Sequence, residues 1–327
     1  MRRAFLRAGS AAKTSAMSAA ILLLAGPTAS GKTALALHAA ARLDGEIVNA
    51  DSMQVYSGLD VLAAQPSAQD KAAAPHHLFA VLDPAQRCSV GRWARMALSV
   101  IADIRARGRT PIVAGGTGLY FKALLDGLAP APAIPDAVQG EVEALYQTGG
   151  LKALRAEAVR ADPEAAAKIA AGDRQRLMRV IAVARAAGRP LSALQADTAP
   201  LIDPASAAGV VIAPDRAALY ARIESRFDQM MAAGALQEAR ALAARGLDPS
   251  LPAMKAVGLR PLLDHLAGAV DLETAIDAAK RDSRRYAKRQ LTWFANQHPG
   301  FARITSLDPA AQRGELDRRL SEAFPET

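Results

Sequence analysis

Gly26-Pro27-Thr28-Ala29-Ser30-Gly31-Lys32-Thr33 follows directly on the apolar run Ile21-Leu22-Leu23-Leu24. The spacing G-x-x-x-x-G-K-T between a buried strand and a helix is that of a phosphate-binding loop. Backbone N–H groups in such a loop point inward, and the N-terminus of the following helix adds partial positive charge. Lys32 is placed to reach outer phosphates, and the Thr33 hydroxyl to hold a Mg²⁺ ion. The alanine-rich residues 33–43 supply the helix. The loop alone leaves open whether its ligand is a nucleotide or another diphosphate.

Three further runs read as buried parallel strands: Glu46-Ile47-Val48-Asn49-Ala50, Pro111-Ile112-Val113-Ala114-Gly115 and Gly209-Val210-Val211-Ile212-Ala213. They alternate with helical stretches, notably residues 90–107. This predicts an α/β fold with helices on both faces of a sheet. Residues 130–204 differ. An extended connector, Pro130-Ala131-Pro132-Ala133-Ile134-Pro135, precedes an almost wholly helical stretch over 136–187. Breaks are expected at Gly149-Gly150, Asp162-Pro163 and Gly172-Asp173. Residues 215–296 are again helical. The organisation expected is a catalytic core over 19–133 and 206–300, a helical insertion over 134–205 and a C-terminal tail over 301–327.

The 327 residues leave room for roughly two domains. Forty Lys and Arg against 32 Asp and Glu give a formal charge of +8, which suits a polyanionic partner. The single cysteine, Cys88, excludes an internal disulfide framework and a multi-cysteine zinc site, and fits a cytoplasmic location. Arg2, Arg3 and Arg7 followed by the apolar residues 19–25 imitate a secretory signal. That apolar stretch leads straight into the phosphate loop, however, and cleavage there would destroy the site. Residues 1–18 therefore read as a basic, disordered leader, with Met17 as an alternative start. No run of about 18 apolar residues occurs, so no membrane span is expected.

The second strand leads into Asp51-Ser52-Met53-Gln54-Val55-Tyr56. Ligands of open α/β sheets bind beyond the carboxyl ends of strands, which puts Asp51 beside the phosphate loop. It reads either as a general base or as a local cap. Gly115-Gly116-Thr117-Gly118 signals close backbone approach to something, or a tight turn. Arg222-Ile223-Glu224-Ser225-Arg226 could send an arginine to the phosphates or form a surface pattern. Arg176 and Arg179, and the set Arg281, Arg284, Arg285 and Lys288, each share a helical face. Such charge runs are either solvated or bind an anion. Tyr286, Trp293 and Phe294 either stack bases or form the buried side of their helix. His76-His77 lacks a third ligand at metal spacing and reads as a structural pair.

Taken in order, these segments closely resemble the tRNA dimethylallyltransferases, also called tRNA isopentenyltransferases. The resemblance runs from Ile21 to Gln297. It includes the phosphate loop, Asp51-Ser52-Met53-Gln54-Val55-Tyr56, Gly58-Leu59-Asp60, Pro75-His76-His77-Leu78, Gly115-Gly116-Thr117-Gly118-Leu119-Tyr120, Asp173-Arg174-Gln175-Arg176-Leu177, Lys255-Ala256-Val257-Gly258, and Tyr286-Ala287-Lys288-Arg289-Gln290-Leu291-Thr292-Trp293-Phe294. It implies a P-loop NTPase-like parallel sheet with an inserted all-helical tRNA-binding domain. It also implies transfer of a dimethylallyl group from dimethylallyl diphosphate to N6 of the adenosine at position 37 of tRNA, with release of pyrophosphate.

On that resemblance Gly26, Pro27, Thr28, Ala29, Ser30, Gly31, Lys32 and Thr33 bind the diphosphate, and Thr33 ligates Mg²⁺. Asp51 accepts the N6 proton, Thr117 sits near the adenosine and Arg222 assists the diphosphate. Contacts to the tRNA anticodon stem-loop fall on Asp51, Ser52, Met53, Gln54, Thr117, Gln139, Gln175, Arg176, Leu177, Met178, Arg179, Arg281, Arg284, Arg285 and Lys288. A long tRNA clasp is compatible with a monomer. The chain departs from the family pattern at Ala63-Ala64-Gln65-Pro66, where Thr-Ala-Lys-Pro is usual. It departs again at Gln139, where Arg is favoured, and at Gly258-Leu259-Arg260-Pro261. A metabolite kinase, an RNA-binding module without activity, and prenylation of free adenine nucleotides are the competing readings. The helical insertion and its arginines disfavour the last.

Overall fold

The computed structural model describes residues 20–325; the expected leader and the Met17 alternative lie outside the described residues. Two compact units are present, one of residues 20–87, 99–118 and 204–325, the other of 88–98 and 119–203.

The first unit is built on six parallel strands: β1 (Ile21–Ala25), β2 (Gly45–Asn49), β3 (His76–His77), β4 (Thr110–Gly115), β5 (Ala207–Ile212) and β6 (Ala302–Ile304). Their order is β3-β2-β4-β1-β5-β6. β1 pairs with both β4 and β5, setting Leu24 beside Ala114 and Val210. All five residues of β1 are fully buried, as a central strand covered on both faces requires. The helices are α1 (Lys32–Leu43), α2 (Ala68–Ala73), α3 (Val90–Ala106) and α4 (Gly118–Asp126), then α5 (Asp136–Ala161), α6 (Pro163–Ala167), α7 (Arg174–Ala187) and α8 (Leu191–Ala196). After β5 come α9 (Arg216–Ala232), α10 (Ala235–Ala244), α11 (Leu259–Leu266), α12 (Leu272–Gln297) and α13 (Pro309–Ala323).

α1 buries Leu35, Ala36, Ala39 and Ala40 against the sheet, a stripe at helical spacing. α12 starts at Asp271, whose side chain accepts the Thr274 N–H. Its buried stripe is Ala275, Ala279, Ser283, Ala287, Gln290 and Phe294, mostly small residues that admit close packing. Residues 301–327, read from the sequence as a tail, carry β6 and α13. Leu316 and Leu320 of α13 join Leu22, Leu24 and Leu35 in one core cluster, so this segment completes the first unit.

The second unit contains α5 to α8. α5 kinks at Gly150, which takes φ 60°, ψ −160°, at the expected Gly149-Gly150 break. Its core joins Val142, Leu154 and Ala158 of α5 to Leu177, Val180 and Ile181 of α7. Asp162 is buried, caps α6 through the Ala165 N–H, and accepts the Ser192 N–H and hydroxyl at 2.7 and 2.8 Å. This unit extends beyond the 134–205 read from the sequence. Trp93 and Tyr120, both buried, stack with centroids 3.9 Å apart at 9°, and the Leu201 and Ile202 N–H groups donate to the Leu124 carbonyl. No helix among the described residues is long and apolar enough to cross a membrane.

Candidate active site

The carboxyl ends of β1, β2 and β4 are laced together by their own backbones. Gly26 N–H donates to Gly115 O, Ala50 N–H to Ala114 O, and Thr117 N–H to Ala50 O. The phosphate loop leaves β1 and ends at Gly31, whose φ of 94° opens α1. Inside the loop, Lys32 Nζ donates to Pro27 O at 2.6 Å and Ser30 Oγ to the same carbonyl at 2.9 Å. Ala29 takes φ 60° and packs against Leu219, Ile223 and Ala287. Two glutamines from distant helices brace the loop. Gln290 Oε1 of α12 accepts the Thr28 N–H at 3.1 Å, and Gln312 Nε2 of α13 donates to Ser30 O at 2.9 Å.

Asp51 lies beside this loop. One carboxylate oxygen accepts the Met53 N–H at 2.9 Å, which is the local capping role. The other has no hydrogen-bond partner among the described residues, so capping and proton acceptance are both open to the same side chain. Burial lowers the Lys32 pKa to about 8; Asp51 opposes that shift and Arg226 adds to it. Thr117 Oγ1 accepts the Ser52 N–H at 2.9 Å and donates to Ser52 Oγ at 3.2 Å. The Tyr286 hydroxyl is hydrogen-bonded to Thr117 and Gln290, and burial, with the Asp51 charge, raises its pKa. The close approach signalled by the glycines is to protein. A Cβ on Gly116 would lie 2.2 Å from Gln290 Nε2, and one on Gly118 would lie 2.0 Å from the Trp293 ring.

A cavity of about 850 Å³ opens over the loop, lined by Lys32, Thr33 and Asp51 on one side and Arg222, Ser225, Arg226 and Gln229 on the other. The four α9 residues recur at helical spacing and form one face. A second pocket of about 70 Å³ shares Thr28, Ala29, Asp51, Ala63 and Arg226 with the first. Its remaining lining is largely apolar: Met53, Leu62, Ile223, Phe227, Met230 and Val257, with Ser283 and Tyr286. From one segment, Leu62 and Ala63 line the small pocket and residues 63–66 the large cavity. Glu238 of α10 pins that segment by accepting the Val61 and Leu62 N–H groups, each at 2.8 Å. Gln54 Nε2 donates to Ala64 O, and Gln65 Nε2 donates back to Gln54 O.

A sheet of this order, with a phosphate loop facing a carboxylate and an apolar recess, invites comparison with known enzymes. The IPP transferase family model matches residues 54–297. The chain belongs to the IPP transferase family. It is 57% identical over 290 residues to the tRNA dimethylallyltransferase of Maricaulis maris, covering 89% of this chain and 94% of that protein. It is 53% identical over 301 residues to that of a Caulobacter species, covering 92% and 96%. The solved tRNA isopentenylpyrophosphate transferase of Bacillus halodurans superposes with a TM-score of 0.67 at 34% identity, covering 93% of this chain and 97% of that one. A eukaryotic dimethylallyltransferase acting on tRNA shares the fold, with a TM-score of 0.79 at 23% identity, covering 93% and 78%.

The other residues read from the IPP transferase motifs divide by location. The phosphate loop, Asp51, Ser52, Gln54 and Thr117 converge in the first unit, and Met53 lines the small pocket. Arg222 reaches the large cavity but is exposed, and its guanidinium donates to Leu307 O. Arg226, one turn further along α9, is half-buried. It lines both cavities and has no hydrogen-bond or ion-pair partner among the described residues. Burial and the neighbouring Arg222 lower its pKa. On α12, Arg281, Arg285 and Lys288 are exposed, whereas Arg284 is half-buried and paired with Glu224.

In the second unit Gln175, Arg176 and Arg179 are exposed on α7, with Arg176 near Asp173 at 3.3 Å. Leu177 departs from the expected contact role. It is fully buried in the helical core and presents no surface. Met178 packs against the same core, and Gln139 Nε2 donates to Ile134 O. In the first unit, His77 donates to Glu46 at 2.6 Å and His76 to Ala74 O at 2.8 Å. Burial opposes Glu46 ionisation, but hydrogen bonds from His77 and Arg107 outweigh it and hold its pKa low.

Proposed function

We infer that this protein transfers the dimethylallyl group of dimethylallyl diphosphate to N6 of adenosine 37 of tRNA, releasing pyrophosphate. One observation carries the reading beyond family membership: Asp51 and Arg226 each line both the large cavity over the phosphate loop and the small, largely apolar pocket. A donor with an anionic head and a hydrocarbon tail needs that junction. The phosphate-loop amides, Lys32 and Arg226 take the diphosphate, where preorganised donors favour charge that builds as the C1–O bond breaks. The small pocket takes the tail.

The free oxygen of Asp51 receives the N6 proton, because an exocyclic adenine amine is a poor nucleophile while it keeps both protons. Thr117, fixed by Ser52 and Tyr286, orients the base beside it. The donor set fits Mg²⁺. Thr33 lines the cavity without a hydrogen-bond partner among the described residues, and Mg²⁺ is usually held by few protein groups together with substrate phosphates. When bound, the ion neutralises charge on the departing diphosphate. Exposed Arg281, Arg285 and Lys288 on α12, and Gln175, Arg176 and Arg179 on α7, supply tRNA backbone contacts, which position but do not specify.

The test is incubation of the purified protein with unmodified tRNA, Mg²⁺ and radiolabelled dimethylallyl diphosphate, with ATP and AMP as controls. Label in tRNA supports the reading. Turnover of ATP without label in tRNA supports a kinase instead. Label in AMP alone supports prenylation of free nucleotides.

A further inference from the structure

Phe227 lines the small pocket and packs against the turn at Gly258. The ring is 2% exposed. On its other side, a Cβ built on Gly258 would lie 2.9 Å from Phe227 Cε2 and 3.5 Å from both Phe227 Cζ and the Ala279 methyl. Gly258 has φ +85°, and its bare α-carbon leaves the ring the room it occupies. α9 repeats the apolar wall at Ile223, Phe227 and Met230, four and three residues apart. Opposite them, Ser283 has its hydroxyl turned onto Ala279 O at 2.9 Å, so it offers the tail no free donor. The ring packs against the Gly258 turn, whose neighbour Val257 also lines the pocket.

We propose that Phe227 determines donor chain length by closing the pocket at five carbons, with Gly258 fixing the ring's position. This rests on the prenyl-transfer reading above and adds a specificity determinant to it. The step is the same for any allylic diphosphate. The C1–O bond breaks with its electron pair on the diphosphate, the N6–C1 bond forms, and the N6 proton passes to Asp51. Removing the ring enlarges the pocket by the volume that side chain fills, and a ten-carbon allylic tail becomes a substrate.

The experiment measures kcat/KM for dimethylallyl and geranyl diphosphates with unmodified tRNA, with mass spectrometry of the modified nucleoside. Wild type is expected to use the five-carbon donor and to reject the ten-carbon one. Phe227→Leu and Phe227→Ala are expected to raise the geranyl-to-dimethylallyl ratio by at least ~10-fold, a discrimination that pocket contacts commonly supply. Met230→Ala, at a half-buried position on the same wall, moves the ratio the same way by less and serves if the Phe227 variants do not fold. Folded variants whose ratio stays within about twofold of wild type overturn the proposal. So does a wild type that accepts both donors. If wild type transfers neither donor, the prenyl-transfer reading itself fails and takes this proposal with it.

Discussion

Gln290 Oε1 accepts the Thr28 backbone N–H at 3.1 Å although 262 positions separate them. Its amide nitrogen donates to Gly116 O at 2.9 Å, so one buried side chain ties the phosphate loop to the glycine turn. Gln290→Met keeps the approximate shape and removes both bonds. Each buried group left unsatisfied costs about 1–3 kcal/mol. The expected outcome is a lower denaturant midpoint and weaker pyrophosphate binding by calorimetry. Gln290→Glu keeps the acceptor for Thr28 and repels the Gly116 carbonyl, and is expected to fall between the two.

Lys32 has its pKa lowered to about 8, mainly by burial. A bound polyanion favours the ammonium and raises that value. Binding therefore takes up a proton above about pH 8 and is unaffected by this group below it. Pyrophosphate affinity is expected to fall as pH rises through 8 in wild type. Lys32→Arg, which stays charged throughout, is expected to lose that component. Calorimetry in buffers of different ionisation enthalpy measures the proton uptake directly.

Arg226 and Arg222 are separated by one turn of α9 yet differ in setting. Arg226 has no hydrogen-bond or ion-pair partner among the described residues and lines both cavities, whereas Arg222 is exposed and bonded to Leu307 O. Arg226→Ala is expected to slow prenyl transfer by about 10²–10³, with Arg222→Ala costing clearly less. Removing Arg226 also relieves like-charge repulsion, so the melting temperature is expected to hold or rise while donor binding weakens. A merely structural arginine would lose both together.

Asp162 ties α6 to the Ser192 backbone and hydroxyl within the helical unit. Burial opposes its ionisation, but hydrogen bonds from Ala165 and Ser192 dominate and its folded pKa is lowered. Its contribution to stability is full above the unfolded value near 3.9 and is lost as pH falls through the lower folded value. Asp162→Ala is expected to destabilise the protein by at least about 0.5–2 kcal/mol, the loss of the helix cap alone. Urea denaturation from pH 7 to pH 3 is expected to show a shallower acid dependence in the variant.

The four longer strands of the sheet were legible because each centres on a short apolar run, Ile47-Val48 in β2 being the shortest. β3 and β6, of two and three residues, are too short for any periodicity. The α13 segment is strongly polar along its length, and only Gln312, Leu316 and Leu320 record its buried side. The phosphate loop was legible from its spacing and Asp51 from its place after the second strand, whereas Thr117 was named only through the family resemblance. Spacing could not choose between Arg222 and Arg226, since residues four apart share a face and only tertiary packing decides which one is covered. Gln290 left a usable signal: it is a polar residue in line with Ala279, Ser283, Ala287 and Phe294. The glycines of the β4 turn correctly indicated close approach, but what approaches is Gln290 and Trp293.

The central claim is that Asp51 removes the N6 proton beside the diphosphate cradle. Single-turnover transfer from labelled dimethylallyl diphosphate to tRNA, compared between wild type and Asp51→Ala at matched tRNA occupancy, tests it most directly. The account predicts tRNA binding largely retained and transfer slowed by at least ~10². Transfer in Asp51→Ala at the wild-type rate would contradict it.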